Sequence, residues 1–435
     1  MMKAANSRHL KGLLALSPMV VFLAAYMVSS IVAGDFYRVP VSSAFLLACI
    51  YAVCISGGSL KERITTFSKG AGDSNLLLML WIFILAGAFA GTAKDIGAVD
   101  ATVNATLSLV PPRFIFAGLF LTACFISMAM GTSTGTVVAL VPIASGIAQQ
   151  LGVGVPYTAA IIVGGAFFGD NLSFISDTTI AATQAVGCDM RDKFRTNIRI
   201  ILPAVIIVTV IYVLQGSRVS AAAEAQAVDW IKILPYILVI VLALTGMNVT
   251  AVLSAGIAVN AIIGWCTGSF GWISWLESTG KGISGMSDLI IVTLLAGGLL
   301  ETIRKNGGLD YIMSLLSKMA RGPRGAQASI AALVSIANIC TANNTIAIIT
   351  VSRIAADISE RFGIDPRKTA SILDTFSCIV QSFIPYGVQL LMAAGLAAVS
   401  PVAMIPFLYY PMGIAVCAIL AIIFNYPRFK KDERH

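Results

Sequence analysis

The run Gly169-Asp-Asn-Leu-Ser-Phe-Ile-Ser-Asp-Thr-Thr179 sets two carboxylates, Asp170 and Asp177, among Asn171, Ser173, Ser176, Thr178 and Thr179. Every polar group in it can offer an oxygen. Carboxylate, hydroxyl and carbonyl oxygens are the ligands that hard cations prefer. A second run, Gly131-Thr-Ser-Thr-Gly-Thr136, offers Thr132, Ser133, Thr134 and Thr136, and a third, Thr341-Ala-Asn-Asn-Thr345, offers Asn343, Asn344 and Thr345. Ser382 lies in a fourth, Ser382-Phe-Ile-Pro-Tyr-Gly387. Asp374 and Glu301 are isolated carboxylates within apolar stretches. Aspartate also caps helix ends, but the oxygen array around Asp170 and Asp177 is denser than capping requires.

One motif points elsewhere. Gly131-Thr-Ser133-Thr-Gly135 matches the GxSxG nucleophile elbow of hydrolases. A serine nucleophile needs a base within hydrogen-bond reach. The two histidines, His9 and His435, lie in the chain's tails, so a covalent enzyme is not expected. The eight cysteines lack CxxC spacing and mostly sit in apolar runs. They read as small hydrophobes rather than as a zinc or disulfide framework, and no cofactor is expected.

The elements that must position these groups are membrane helices. Only 11% of the 435 residues are charged and 57% are hydrophobic, with mean hydropathy +0.88. Soluble chains carry about 25% charge. Fourteen apolar segments run from 13–33 to 401–425, and a spanning helix needs about 20 apolar residues. The expectation is an all-α polytopic membrane protein with 10–14 membrane segments. The excess of basic residues sits at segment ends, so nucleic acid is not the implied partner; the bilayer is. A homodimer is compatible with such a chain.

The segments 156–187 and 366–398 are too long for one straight span at about 1.5 Å per residue. Each has polar or helix-breaking residues in its middle, 168–179 in one and 382–387 (with Pro385 and Gly387) in the other. Both read as half-helices joined by an unwound stretch. Unwound backbone at membrane depth is tolerated where it is buried or lines a cavity, and an intramembrane carboxylate marks an ion or proton path. The runs at 131–136 and 341–345 read as polar tips of helical hairpins, 114–149 and 326–359, either spanning or re-entrant.

The chain repeats itself. AGAFAGTAKDIGAVD at 86–100 is echoed by AGGLLETIRKNGGLD at 296–310, Thr132–Thr136 by Thr341–Thr345, Leu151-Gly-Val153 by Phe362-Gly-Ile364, and Ser173-Phe-Ile175 by Ser382-Phe-Ile384, at offsets of 209–211. The halves are 1–216 and 230–435, joined by a polar, alanine-rich linker at 217–229. Basic clusters set the orientation: His9 and Lys11; Lys61, Arg63 and Lys69; Arg191, Lys193, Arg195 and Arg199; Arg304, Lys305, Lys318, Arg321 and Arg324; Arg361, Arg367 and Lys368; Arg428 to Arg434. With all of them cytoplasmic, both termini are cytoplasmic and each half crosses an odd number of times. The halves are then inverted, as in secondary transporters. Arg353 and Asp357, four apart on one helix, read as an ion pair. Gly87 with Gly91, and Gly165 with Gly169, read as close helix-packing positions. Glu301 reads as a proton carrier or as a partner of Arg304.

The 169–179 run resembles the signature of the NhaC family of sodium/proton antiporters, usually GDKLSPLSDTT, and the likeness extends to 131–136 and 86–100. It implies a multi-pass protein of the cytoplasmic (inner) membrane that exchanges Na+ or a similar cation for protons. It also implies Asp170, Ser173, Ser176, Asp177, Thr178 and Thr179 as cation-site residues, with Na+ at Asp170 and Asp177. The sequence departs from the pattern at Asn171, where the family has lysine, and at Phe174, where it has proline. Relatives of this family also exchange organic acids, so a Na+- or H+-coupled carrier of an organic acid or amino acid is the alternative. Asp170, Asp177, Asp374 and Glu301 are the proton-carrier candidates. A buried carboxylate favours its charged form when a cation binds and its protonated form otherwise, so Na+ and protons would compete for one group exposed alternately to each side.

Overall fold

The computed structural model describes residues 2–33, 39–219, 228–311 and 322–429. Most of the expected linker, and Lys318, Arg321, Lys430, Lys431 and Arg434 of the orientation clusters, lie outside the described residues. All regular structure described is helical. The first half contains α1 (Met2–Ala33), α2 (Val41–Ile55), α3 (Leu60–Ala71), α4 (Ser74–Asp95), α5 (Ala98–Leu109), α6 (Ile115–Met130), α7 (Ser133–Leu151), α8 (Val155–Leu172), α9 (Asp177–Val186) and α10 (Met190–Gly216). The second contains α11 (Trp230–Leu244), α12 (Val249–Thr267), α13 (Trp272–Gly285), α14 (Ser287–Lys305), α15 (Gly322–Thr341), α16 (Asn344–Arg361), α17 (Pro366–Phe383), α18 (Val388–Ala397), α19 (Pro401–Met404) and α20 (Tyr409–Ile423).

Among the described residues, nine helical stretches are long and apolar enough to cross a membrane, or ten if the bent pair Pro401–Phe407 and Tyr409–Ile423 is one span. Two shorter apolar helices, Val41–Ile55 and Trp230–Leu244, stand beside them. The chain is a multi-pass membrane protein. Leucines, isoleucines and valines on α1, α2, α10, α11 and α20 face outward, which is where lipid substitutes for a protein core. Four of the cysteines are buried, while Cys54 and Cys266 are exposed.

Three helices were not anticipated from the apolar runs: α3, α5 and α13. The first is an amphipathic helix fixed at its start by a capping box. Glu62 N–H donates to Ser59 Oγ (3.3 Å), and Ser59 N–H donates to Glu62 Oε2 (2.9 Å). The Ser59 backbone N–H, and with it the Ser59 side chain, hold the Glu62 carboxyl below its usual range. Lys61, Arg63 and Lys69 therefore belong to a helix rather than to a loop.

Small residues let the helices close up. A Cβ on Gly165 would come within 2.5 Å of Ala123 Cβ, and Gly169 sits equally tight on Ser127, so α8 lies hard against α6. Gly87 and Gly91 meet Gly282 O and Ser278 O in the same way, bringing α4 onto α13. Both packing expectations hold.

The halves exchange partners. α3 packs on α14 and α13 on α4; α2 packs on α14 and α12 on α4; α9 packs on α16 and α18 on α7. The breaks are shorter than the sequence implied. Only 173–176 separates α8 from α9, and 384–387 separates α17 from α18. Asp170 and Asn171 close the last turn of α8, and Ser382 is within α17. Ile384 is extended (φ −76°, ψ 112°) because Pro385 follows it. Ser173 is extended (φ −66°, ψ 141°), and its Oγ accepts the Ile175 N–H (3.3 Å), a local bond that competes with the helix.

Candidate functional site

Both hairpin tips, the first break and the residues flanking the second meet around one cavity of about 130 Å³. Each tip turns through a left-handed residue, Gly131 (φ 68°) in one and Ala342 (φ 49°) in the other. Four helices, α7, α9, α16 and α18, begin at its wall, with Ser133, Asp177, Asn344 and Val388 as first residues.

Asp170 faces this cavity at 5% exposure. Its Oδ1 accepts the Ser133 N–H (2.9 Å) and its Oδ2 accepts the Ser133 hydroxyl (2.6 Å). The carboxylate thus meets the N-terminus of α7, where helix dipole and free N–H groups favour negative charge. Gln389 Nε2 donates to Ser133 Oγ (3.0 Å), Gln381 Nε2 donates to Gln389 Oε1 (3.1 Å), and the same Gln381 Nε2 donates to Ala342 O (3.0 Å). A continuous hydrogen-bond chain therefore links the two halves through the cavity. Thr178 Oγ1 donates to Asp170 O (3.0 Å) and meets Ser176 Oγ at 2.9 Å. Among the described residues lining the cavity there is no lysine, arginine or histidine. The GxSxG serine, Ser133, donates its hydroxyl to Asp170 and accepts from Gln389, with no histidine among the described lining residues.

A second buried cluster lies behind the first. Lys193 Nζ is 2.5 Å from Asp374 Oδ2, with the two side chains 1% and 0% exposed. The ammonium also donates to Asn171 O (2.6 Å) and Thr179 Oγ1 (2.7 Å), which accounts for its three protons. Asn171 and Asn197 each donate to Asp374 Oδ2 at 3.2 Å. Asp374 is thus paired with Lys193 at the junction of α10, α8 and α17.

Of the expected site residues, the cavity collects Thr132, Ser133, Thr134, Asp170, Ser176, Asp177, Thr178, Asn343, Asn344 and Thr345. Asn171, Ser173, Thr179, Thr136, Ser382 and Asp374 do not line it. Asn171 and Thr179 serve Lys193; Thr136 and Ser382 bond their own helices, at Thr132 O and Ile379 O. Asp170 and Asn171, adjacent on α8, point about 100° apart: one faces the cavity and the other donates to Asp374. Asp177 is at the rim and exposed rather than buried. Glu301 pairs with Arg304 (2.7 Å) in a neighbouring vestibule. Arg353 and Asp357 are both exposed and form no ion pair with each other, contrary to the sequence reading.

The sequence reading missed Lys193, Asn197, Gln381 and Gln389. Lys193 was counted among orientation charges, and so was Lys368, yet both are buried, at 1% and 6% exposure. The signal was present: Lys193, Asn197, Ile200, Ile201, Ala204 and Val208 form one buried stripe of α10.

A multi-pass helical protein whose broken helices and hairpin tips enclose one acidic, oxygen-lined cavity is built as a secondary transporter is built. The family model described as the Na+/H+ antiporter family matches residues 7–217 and 222–426, and the chain belongs to that family. It is 26% identical over 435 aligned positions to a "Malate-2H(+)/Na(+)-lactate antiporter" of Bacillus subtilis, covering 90% of each chain. It is 26% identical to the "Na(+)/H(+) antiporter NhaC" of the same organism, covering 78% of this chain and 82% of that one. The crystal structure of the Alcanivorax borkumensis YdaH transporter aligns over 89% of this chain and 99% of its own, at 14% identity and a TM-score of 0.40.

Proposed function

We propose that the protein is a Na+/H+ antiporter in which Asp170 holds a proton and a sodium ion in turn. One observation carries this reading: a carboxylate at 5% exposure faces an oxygen-lined cavity with no basic side chain among its described lining residues. A buried charge without a counter-ion is costly, so the group is stable when protonated or cation-bound. Thr132, Thr134, Ser176, Thr178 and Thr345 supply further neutral oxygens. Asp374 is already compensated by Lys193, which leaves Asp170 as the exchangeable charge.

The halves 1–216 and 230–435 act as inverted repeats that rock about this cavity. The constant offset of their elements and their reciprocal packing support that assignment. The protein sits in the cytoplasmic membrane with both termini inside. The relative named NhaC supports the exchange of Na+ for protons.

A second reading has its own observation. A vestibule of about 200 Å³, lined by Lys69, Leu300, Arg304 and Tyr386 among others, shares Ala342 and Val388 with the cavity. It is larger and more apolar than a bare ion needs, and the relative named a malate/lactate antiporter points the same way. The test is proton flux in proteoliposomes after pulses of Na+, Li+, K+, malate and lactate, for wild type and Asp170→Asn. Sodium-driven flux that disappears in D170N is expected. Normal flux in D170N removes Asp170 as the carrier; flux driven only by the organic anions replaces the first reading with the second.

A further inference from the structure

The helix ends around the two breaks correspond at one constant shift, at the upper end of the 209–211 range that the matching residues span. Val155–Leu172 corresponds to Pro366–Phe383 and Asp177–Val186 to Val388–Ala397, a constant shift of 211 at all four helix ends. The tips keep the same shift: Met130 corresponds to Thr341, left-handed Gly131 to left-handed Ala342, and Ser133 to Asn344. The repeated Ser-Phe-Ile, at 173–175 and 382–384, is therefore two residues out of structural register. The residue that occupies the place of Asp170 in the second half is Gln381.

Gln381 mirrors Asp170 in setting as well as in position. Both close the last full turn before a break, and both reach the tip of their own hairpin, Asp170 at Ser133 N–H and Gln381 at Ala342 O. Both line the cavity. Gln381 is 1% exposed, and its Oε1 has no hydrogen-bond partner. The amide cannot be turned over to remove that orphan, since Oε1 would then face Ala342 O and Gln389 Oε1. An ionised Asp170 fixes the same direction. It accepts the Ser133 hydroxyl proton, so Ser133 Oγ accepts from Gln389, and Gln389 Oε1 accepts from Gln381 Nε2. The chain ends on a buried carbonyl oxygen without a partner, on a residue that lines the cavity, and leaving a buried acceptor unmade costs about 1–3 kcal/mol.

We infer that Gln381 Oε1 is a ligand for the transported cation, the uncharged counterpart of Asp170 in the second half of the site. An amide oxygen suits a hard monovalent cation and, unlike a carboxylate, takes up no proton at physiological pH. The pair therefore gives the cavity two equivalent ligating positions but only one that protons contest. A carboxylate placed at 381 creates a second contested position, and one moved from 170 to 381 relocates the first. The inference rests on the antiport reading and deepens it.

The experiment compares wild type, D170N, Q381E and D170N/Q381E in proteoliposomes, with sodium-driven proton flux and ²²Na+ binding as readouts and thermal unfolding as the control for folding. D170N is expected to be silent, and D170N/Q381E to regain flux within about tenfold of wild type. Q381E alone should show a steeper dependence of sodium binding on pH, since two protons then compete. A double variant that melts like D170N yet stays silent beside an active wild type overturns the inference and leaves the antiport reading standing. Unchanged pH dependence in Q381E overturns it too, which covers a double variant that does not fold. A wild type in which sodium drives no proton flux sinks the antiport reading and this inference with it.

Discussion

Replacing Lys193 with methionine isolates what the buried ion pair contributes. Methionine keeps most of the length and apolar stem but removes an ammonium held at 2.5 Å by Asp374, 2.6 Å by Asn171 O and 2.7 Å by Thr179 Oγ1. Asp374 is then left at 0% exposure with neutral partners alone, the Asn171 and Asn197 amides at 3.2 Å and the Cys378 thiol at 3.9 Å among them. Removing one partner of a buried pair costs about 3–5 kcal/mol, because the other charge stays behind. Asp374→Asn alone strands the lysine and should cost about as much. The double variant K193M/D374N carries no buried charge there and should fall within about 2 kcal/mol of wild type. For a chain of 435 residues, roughly 1–2 °C per kcal/mol by extension of the size trend for smaller domains puts each single variant several degrees lower. The assay is thermal unfolding of detergent-purified protein for all four species, read as a double-mutant cycle. A K193M protein melting with wild type, or a double variant no more stable than either single, refutes the claim that the pair is structural and mutually compensated.

The remaining predictions concern the site and its frame. Asp177→Asn should leave sodium-driven proton flux within about threefold of wild type, because an exposed rim charge is screened by solvent; abolished flux in proteoliposomes would restore Asp177 as a carrier. Gly131→Ala forces a Cβ into the left-handed region at φ 68° and within 2.5 Å of Ile175 Cγ1, so it should cost ~1–2 kcal/mol in strain and slow exchange at least severalfold, as thermal unfolding and flux assays would show. Glu301→Gln breaks the pair with an Arg304 that is 63% exposed and should change stability by less than about 1 kcal/mol; a shifted pH profile of exchange would instead mark Glu301 as part of the proton path.

Local chemistry made much of this protein legible in its sequence. Low charge and long apolar runs required a membrane protein. Pro385, Gly387 and the serines of 173–176 break helices wherever they stand, because a missing N–H, a missing Cβ or a competing hydroxyl acts on the nearest backbone. The hairpin tips followed from the same short-range signals. The roles of individual side chains did not. Asp170 and Asn171 are neighbours in the chain, yet one faces the cavity and the other faces Asp374, and that choice depends on how α8 is rotated about its axis. The rotation is set by Gly165 and Gly169 pressed against α6, a contact between distant segments. Lys193 read as one of a row of solvated cations, and only the seating of α10 beside α17 turned it inward onto Asp374, 181 positions away along the chain. The register of the repeat was likewise a tertiary matter. The letters Ser-Phe-Ile recur at 209, but the helix ends that build the site recur at 211. Backbone breaks and packing fix where a residue sits in space, and a chance identity of side chains does not.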